Sequence, residues 1–183
     1  ETPSPEPLIA GLLAERKVVA RFAGRMEFGA RALGNRSLLA NASDPNAPRT
    51  LNETIKSRDF WMPFAPSVLR ERSHTYVRKP KPMDAPYMVI TFDSEPASRE
   101  ACRAAMHPQD FTLRPQEVDA GTNPSYHALL TDYEHRTGHG LVLNTSFNLH
   151  GEPLVYSPQD ALRVFDLSGL QHLVLGNFYL KKT

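Results

Sequence analysis

Lys17-Val18-Val19-Ala20-Arg21-Phe22-Ala23-Gly24-Arg25-Met26-Glu27-Phe28-Gly29-Ala30-Arg31-Ala32-Leu33-Gly34-Asn35-Arg36-Ser37-Leu38-Leu39-Ala40-Asn41-Ala42 reads as strand, loop and strand. Residues 17–23, apolar but for Lys17 and Arg21, read as a short buried strand, and 37–42 supplies a second one. The loop between them holds three glycines, three arginines and one acid, with no lysine. Glycine lets backbone N–H groups approach a ligand closely. Arginine adds a flat, permanently charged fork that matches phosphate or carboxylate oxygens. Such a loop is suited to an oxygen-rich anion, a nucleotide or an acyl phosphate. Arg25, Arg31 and Arg36 cannot all pair with Glu27, so some of their charge must meet solvent, distant acids or a ligand. A purely structural loop tied down by surface ion pairs is the alternative. The spacing is not that of a Walker phosphate loop, which needs Gly-x-x-x-x-Gly-Lys-Ser/Thr.

Charge across the rest of the chain sharpens this reading. The 183 residues carry a net charge of +1, with 40% hydrophobic and 22% charged residues, an ordinary globular composition for a single domain over 1–183. Between Arg16 and Arg58, nine Lys or Arg face three acids, a net of +6, which leaves −5 for the remainder. A basic patch in a nearly neutral protein favours one defined anionic ligand over a broad nucleic-acid surface. The single Cys102 excludes an internal disulfide and fits a reducing, cytoplasmic compartment. No run of 18 apolar residues predicts a membrane span, and Glu1-Thr2-Pro3-Ser4-Pro5 does not resemble a signal peptide.

Helix and strand signals alternate, which predicts an α/β or α+β domain. Pro7 followed by Leu8, Ile9, Leu12 and Leu13 predicts an amphipathic helix. Ser43 or Asp44 can cap a helix carrying Leu51 and Ile55 that ends near Arg58. Prolines 63, 66, 80, 82 and 86 predict loops, with a strand at 87–92 and a helix at 98–106. Asn123-Pro124 starts a helix that Gly138 stops. Leu141-Val142-Leu143 is a strand, Ser157-Pro158-Gln159-Asp160 is a capping box, and strands at 173–175 and 178–180 close the chain.

Three further segments carry candidate chemistry. Lys56 and Arg58 sit where cations favour a helix C-terminus, and either can instead reach a phosphate site. On a strand, Thr112, Arg114 and Gln116 would share one face, a polar row that meets water or lines a site. Asn144, Ser146 and Asn148 follow a strong strand, where α/β sheets commonly bind ligands, although the same side chains can serve turn backbone. His107 with Asp110, and His135 with His139, are too few for a metal centre, so no metal ligands are assigned. No nucleophilic triad has a family spacing. Phosphoryl and adenylyl transfer need none, because positioning and charge neutralisation do the work.

Taken together, GRMEFGARALGNRS (24–37), LNETIKSRDFWMPFAPSVL (51–69), TLRPQ (112–116) and LVLNTSFNLHGEPLVYSPQDAL (141–162) resemble the C-terminal domain of the NodU and CmcH type O-carbamoyltransferases. The resemblance spans nearly the whole chain in family order. It implies a YrdC-like fold, a twisted mixed sheet flanked by helices. It further implies binding of ATP with Mg2+ and of carbamoyl phosphate, and formation of carbamoyl-adenylate. A larger N-terminal domain of the actin-like ATPase superfamily, not present in these residues, would pass the carbamoyl group to a substrate hydroxyl. By the same resemblance, Lys56, Arg58 and Arg114 stabilise phosphate charge in the transition state. Arg25, Arg31, Asn35, Arg36 and Ser37 cradle the anion, and Thr112, Asn144, Ser146, Asn148 and His150 complete the site. Two positions depart from the family pattern: Phe111 stands where a glycine is usual, one residue further from His107, and His150 stands where arginine is common. The alternatives are an RNA- or nucleotide-binding module, with Phe60, Tyr76 and Tyr87 available to stack on bases, and a docking domain for a catalytic partner. Near-zero net charge weighs against RNA.

Overall fold

Strand β1 (Val19–Phe22) sends alternate side chains into two different cores. Val19 packs with Leu39, Val142 and Val174 beneath helices α1 (Pro5–Ala14) and α5 (Pro124–Thr137). Ala20 and Phe22 join Leu38, Leu143 and Leu173 on the opposite face, under Leu51, Ile55 and helix α6 (Pro158–Leu167). Apolar side chains on both faces of one strand require a layer of chain on each side of the sheet. The computed structural model describes residues 1–56 and 62–182.

The remaining strands are β2 (Arg36–Ala40), β3 (Ala65–Leu69), β4 (Val77–Arg78), β5 (Phe92–Ser94), β6 (Thr112–Leu113), β7 (Gln116–Val118), β8 (Leu141–Ser146), β9 (His172–Leu175) and β10 (Phe178–Lys181). With β1, six of them form one mixed seven-stranded sheet in the order β10-β9-β1-β2-β8-β3-β7, and β4-β5-β6 form a small second sheet. β1 runs parallel to β9, and β3 runs parallel to β7; the other neighbours in the large sheet are antiparallel. Short helices α2 (Ala47–Leu51), α3 (Ser73–Tyr76) and α4 (Arg99–Cys102) fill the connections. The register pairs Phe22 with Arg36, Ser37 with Ser146, Ala65 with Asn144 and Ser67 with Gln116. The carboxyl ends of β1 and β8 therefore lie at the same sheet edge as the amino ends of β2, β3 and β7. The loop 23–35 crosses that edge.

Local signals set the long helices. Asn123 caps α5 by accepting from the Tyr126 amide at 3.1 Å, Pro124 occupies its first turn, and Gly138 ends it in the left-handed region at φ 77°. Ser157 and Asp160 form the expected reciprocal capping box on α6. The centre of the chain differs from the expectation. Residues 87–91 form no strand, since Met88 adopts φ 55°; the strand begins at Phe92. Pro66 lies inside β3, one residue before β7 begins to pair at Ser67, a position near a strand start where proline is tolerated. The expected 98–106 helix is broken into α4 and two flanking 3-10 turns. The helix bearing Leu51 continues as a π-helical turn, Asn52–Lys56, which buries Ile55 and Lys56 together. Its N-cap position is Asn46, whose amide donates to Asp44 Oδ1.

Gly34 holds the crossing loop against α5. Its φ is 113°, and a β-carbon there would collide with the Tyr126 ring. Gly34→Ala should therefore destabilise the protein by about 3 kcal/mol in chemical denaturation, combining left-handed strain with overpacking. Cys102 is fully buried, and burial pushes its thiol pKa up to about 12. It should resist thiol-directed reagents in the native protein and react only on unfolding, which a dithiobenzoate assay with and without denaturant checks.

Candidate anion-binding site

The crossing loop is held from within rather than by surface ion pairs. Glu27 Oε1 accepts from the amides of Leu33 at 2.7 Å, Asn35 at 2.7 Å and Arg36 at 3.1 Å. From the sheet side, Asn144 Nδ2 donates to Ala32 O at 3.1 Å, and Gln116 Nε2 donates to Leu33 O at 2.8 Å. Asn144 Nδ2 also reaches Ser67 Oγ and Gln116 Oε1, so three neighbouring strands share one buried polar knot. Backbone groups bonded this extensively to buried side chains fix a loop in one geometry.

Arg21 ties down the far end. Its guanidinium is 2% exposed and lies 5.5 Å from the Tyr126 ring centroid. It donates to Gly34 O at 2.5 Å, Asn35 Oδ1 at 3.3 Å and Ser125 Oγ at 2.7 Å, and Ser125 donates in turn to Glu6. Burial lowers the Arg21 pKa, partly opposed by Tyr126, Glu6 and Glu27. Desolvation likewise lowers that of Arg36, opposed by Glu27. Neither arginine was separable from the exposed ones by residue type alone.

The structure divides the expected site residues into groups. Arg31, Arg114, Asn144 and Ser146 line one polar cavity of about 140 Å³, with Ala30, Pro63 and Met88 among its walls. Behind it, Lys56 donates to Ser146 O at 2.5 Å, Ser146 Oγ at 3.0 Å, Asn148 Oδ1 at 2.5 Å and Asn148 O at 3.3 Å. Asn148 Nδ2 holds Glu152 O at 2.6 Å. Lys56 therefore organises the turn after β8. Asn144 is 1% exposed, and its Oδ1 accepts no hydrogen bond from any described residue. That acceptor belongs to a side chain lining the cavity.

Other expected residues serve the loop itself. Arg36 lies 3.5 Å over the Phe22 ring and donates to the carbonyls of Ala23, Gly24 and Asn35. Ser37 Oγ accepts from the Gly34 amide, and Asn35 bridges Arg25 O to Arg21 and Asn123. Arg25 and His150 are exposed and line none of the cavities described here. Thr112 bonds Asp110 at 2.8 Å in the small sheet, whereas Gln116 belongs to the large sheet, so Thr112, Arg114 and Gln116 do not share one strand face. The chain turns between β6 and β7; Arg114 lines the cavity it shares with Arg31, and Gln116 bonds the crossing loop at Leu33 O. Arg58 and Phe60 lie outside the described residues. Tyr76 is buried with its hydroxyl accepting from the Gly140 amide, so it cannot stack on a base; Tyr87 is exposed. Phe111, at the family's glycine position, adopts φ 59° and stacks 4.2 Å beneath Arg99. The left-handed backbone that glycine would provide is kept by a bulky residue.

A family model described as the carbamoyltransferase C-terminus matches residues 10–182. The chain is 38% identical to an uncharacterized protein of Methanocaldococcus jannaschii over 96% of its length and 28% of that protein's. It is 36% identical to the nodulation protein NolNO of Sinorhizobium fredii, over 93% of this chain and 25% of that protein. The nodulation protein NolO of Bradyrhizobium diazoefficiens is also 36% identical, over 94% of this chain and 32% of its own length. The chain thus spans about a quarter to a third of these curated relatives. Among solved structures, P. abyssi Sua5 complexed with L-threonine superimposes with a TM-score of 0.63 at 16% identity, over 94% of this chain and 46% of that one. Full-length HypF in its phosphate- and nucleotide-bound form gives 0.59 at 17% identity, over 93% of this chain and 20% of HypF. The mixed sheet described above is the fold these two proteins contain.

Asn144→Ala would leave the carbonyl of Ala32 without its Asn144 donor and would remove the bonds from Asn144 to Ser67 and Gln116. It should cost about 2 kcal/mol in stability and speed amide hydrogen exchange across residues 30–36, read by mass spectrometry.

Proposed function

The chain belongs to the carbamoyltransferase C-terminal family, and from that we propose that the Arg31–Arg114 cavity binds carbamoyl phosphate and works with ATP to form carbamoyl-adenylate. One observation carries this reading: Arg31 on the crossing loop, Arg114 between the two sheets, and Asn144 and Ser146 on β8 line a single small polar cavity. Two guanidiniums beside a hydroxyl and an unpartnered amide oxygen suit an anion that carries an amide group. Phosphate oxygens pair with the cations, and the carbamoyl N–H donates to Asn144 Oδ1. A cavity of about 140 Å³ is sized for such an anion and not for a whole nucleoside triphosphate, so the rest of ATP would lie beyond it.

The reaction is a pair of displacements. Water releases inorganic phosphate from carbamoyl phosphate and leaves carbamate. A carbamate oxygen then attacks the α-phosphorus of ATP, the bond to the bridging oxygen breaks, and pyrophosphate departs. Arg31 and Arg114 neutralise the charge that gathers on the phosphates. Lys56 holds Ser146 and Asn148 in place at the rim, and Arg58 follows two residues later in sequence. Among the described residues, no three His, Cys, Asp or Glu converge as a metal site. Magnesium would enter as part of the nucleotide, bound by phosphate oxygens. Transfer of the carbamoyl group to an acceptor hydroxyl belongs, in this reading, to the larger protein that the relatives represent.

Calorimetric titration with carbamoyl phosphate, alone and with ATP and magnesium, tests the proposal. Saturable binding at millimolar concentration or below is expected, weakened in Arg114→Ala and Lys56→Ala. In a full-length transferase containing this domain, Arg114→Ala should lower pyrophosphate release about 10²–10³-fold. Absence of binding, or binding unchanged in both variants, counts against the assignment.

A further inference from the structure

A second cavity, of about 490 Å³, uses the same loop but shares no lining residue with the anion cavity. Its chemistry is the opposite. Among the described residues, no Lys, Arg or His lines it, whereas Glu27 and Glu117 do. Phe28, Leu33, Pro86, Tyr87 and Val118 give it apolar walls, and Phe28 and Tyr87 stand exposed at its surface. A described lining with two carboxylates and no cation does not suit phosphate.

Its polar lining is almost entirely committed to the protein. Glu117 accepts from Lys79 and from the Ala85 amide at 2.7 Å. Gln116 is engaged with Leu33, Ser67 and Asn144. Asn123 donates to Asn35 and caps α5, and Thr122 Oγ donates to Asp119 O. Glu27 differs. Its Oε1 takes three amide hydrogens, while its Oε2 is buried and accepts none from the described residues. Glu27 forms no ion pair among those residues, and Arg21 and Arg36 act on it only at a distance. A buried carboxylate oxygen with no donor forfeits solvation that a ligand N–H can restore.

We propose that this cavity binds a ligand presenting an N–H donor on a flat apolar body, with Glu27 Oε2 as the acceptor and Tyr87 and Phe28 as the walls. Both an amino-heterocycle and an aromatic ammonium have this chemistry: each can lie against an aromatic face and donate to a carboxylate. The proposal stands apart from the anion cavity and does not depend on it.

Shift titrations of the 15N-labelled chain with adenosine and, separately, with benzylamine test it. At least one probe should saturate the Leu33 and Asn35 amide shifts with a dissociation constant of about 1 mM or tighter. Glu27→Gln retains an oxygen for the three amides but replaces the free acceptor with an N–H2 donor. It should weaken the responding probe about tenfold or more while preserving the loop's spectrum. Tyr87→Ala removes an exposed ring and should weaken it several-fold without unfolding. A response to adenosine assigns a nucleobase-like ligand, and a response to benzylamine alone assigns a cationic amine. The proposal is overturned if neither probe shifts these amides, or if Glu27→Gln binds as well as the parent. Carbamoyl phosphate titrated into the same samples reports on the other cavity, so either assignment can fail alone.

Discussion

A thirteen-residue crossing with two arginines and three glycines has little reason to hold one shape in water. It holds one here because its backbone polar groups are satisfied from below. Glu27 gathers three amides, Asn144 and Gln116 take two successive carbonyls, and Arg21 takes a third. The sheet edge thereby acts as a template for the loop. What the loop presents to solvent, Arg25 and Arg31, is then free of any structural duty that the described contacts reveal, whereas Arg21 and Arg36 carry that duty entirely.

This division explains how the same residue type performs two jobs within sixteen positions. A guanidinium has five donors and a flat face, which suits it both to an external anion and to a set of carbonyl oxygens. Arg36 spends its donors on Ala23, Gly24 and Asn35 and its face on Phe22. Arg31 remains at a cavity wall. Burial decides between the two roles, and burial depends on which strand face a residue occupies once the sheet has formed.

The sequence could be read where the signals were local. Asn123-Pro124 and Gly138 bracket α5, and Ser157 with Asp160 opens α6, because capping is chemistry among residues three or four apart. β8 was equally plain from its apolar run. Residues 62–118 resisted, since their short elements owe their form to packing and proline placement rather than periodicity. The strand face expected to join Thr112 to Gln116 fails for this reason: the chain changes sheets between them. Gln116 still reaches the crossing loop, and Arg114 the cavity it shares with Arg31. Glu27 was visible as the loop's only acid, but its partners are amides rather than arginines, and backbone donors leave no trace in a sequence. Arg58 belongs to residues 57–61, outside those described.

The pairing of β1 with β9 has a consequence for assembly. The strand that launches the crossing loop is the first of the ten, and its outer neighbour is the ninth. On a ribosome, β1 emerges with one flank bare and stays so until β9, eight strands later, has followed. Long-range parallel pairing of this kind is slow to form and leaves an edge open to foreign strands in the meantime. The anion cavity, lined by Arg31 on one side and by Asn144 and Ser146 of β8 on the other, can take shape only after β8 has been made.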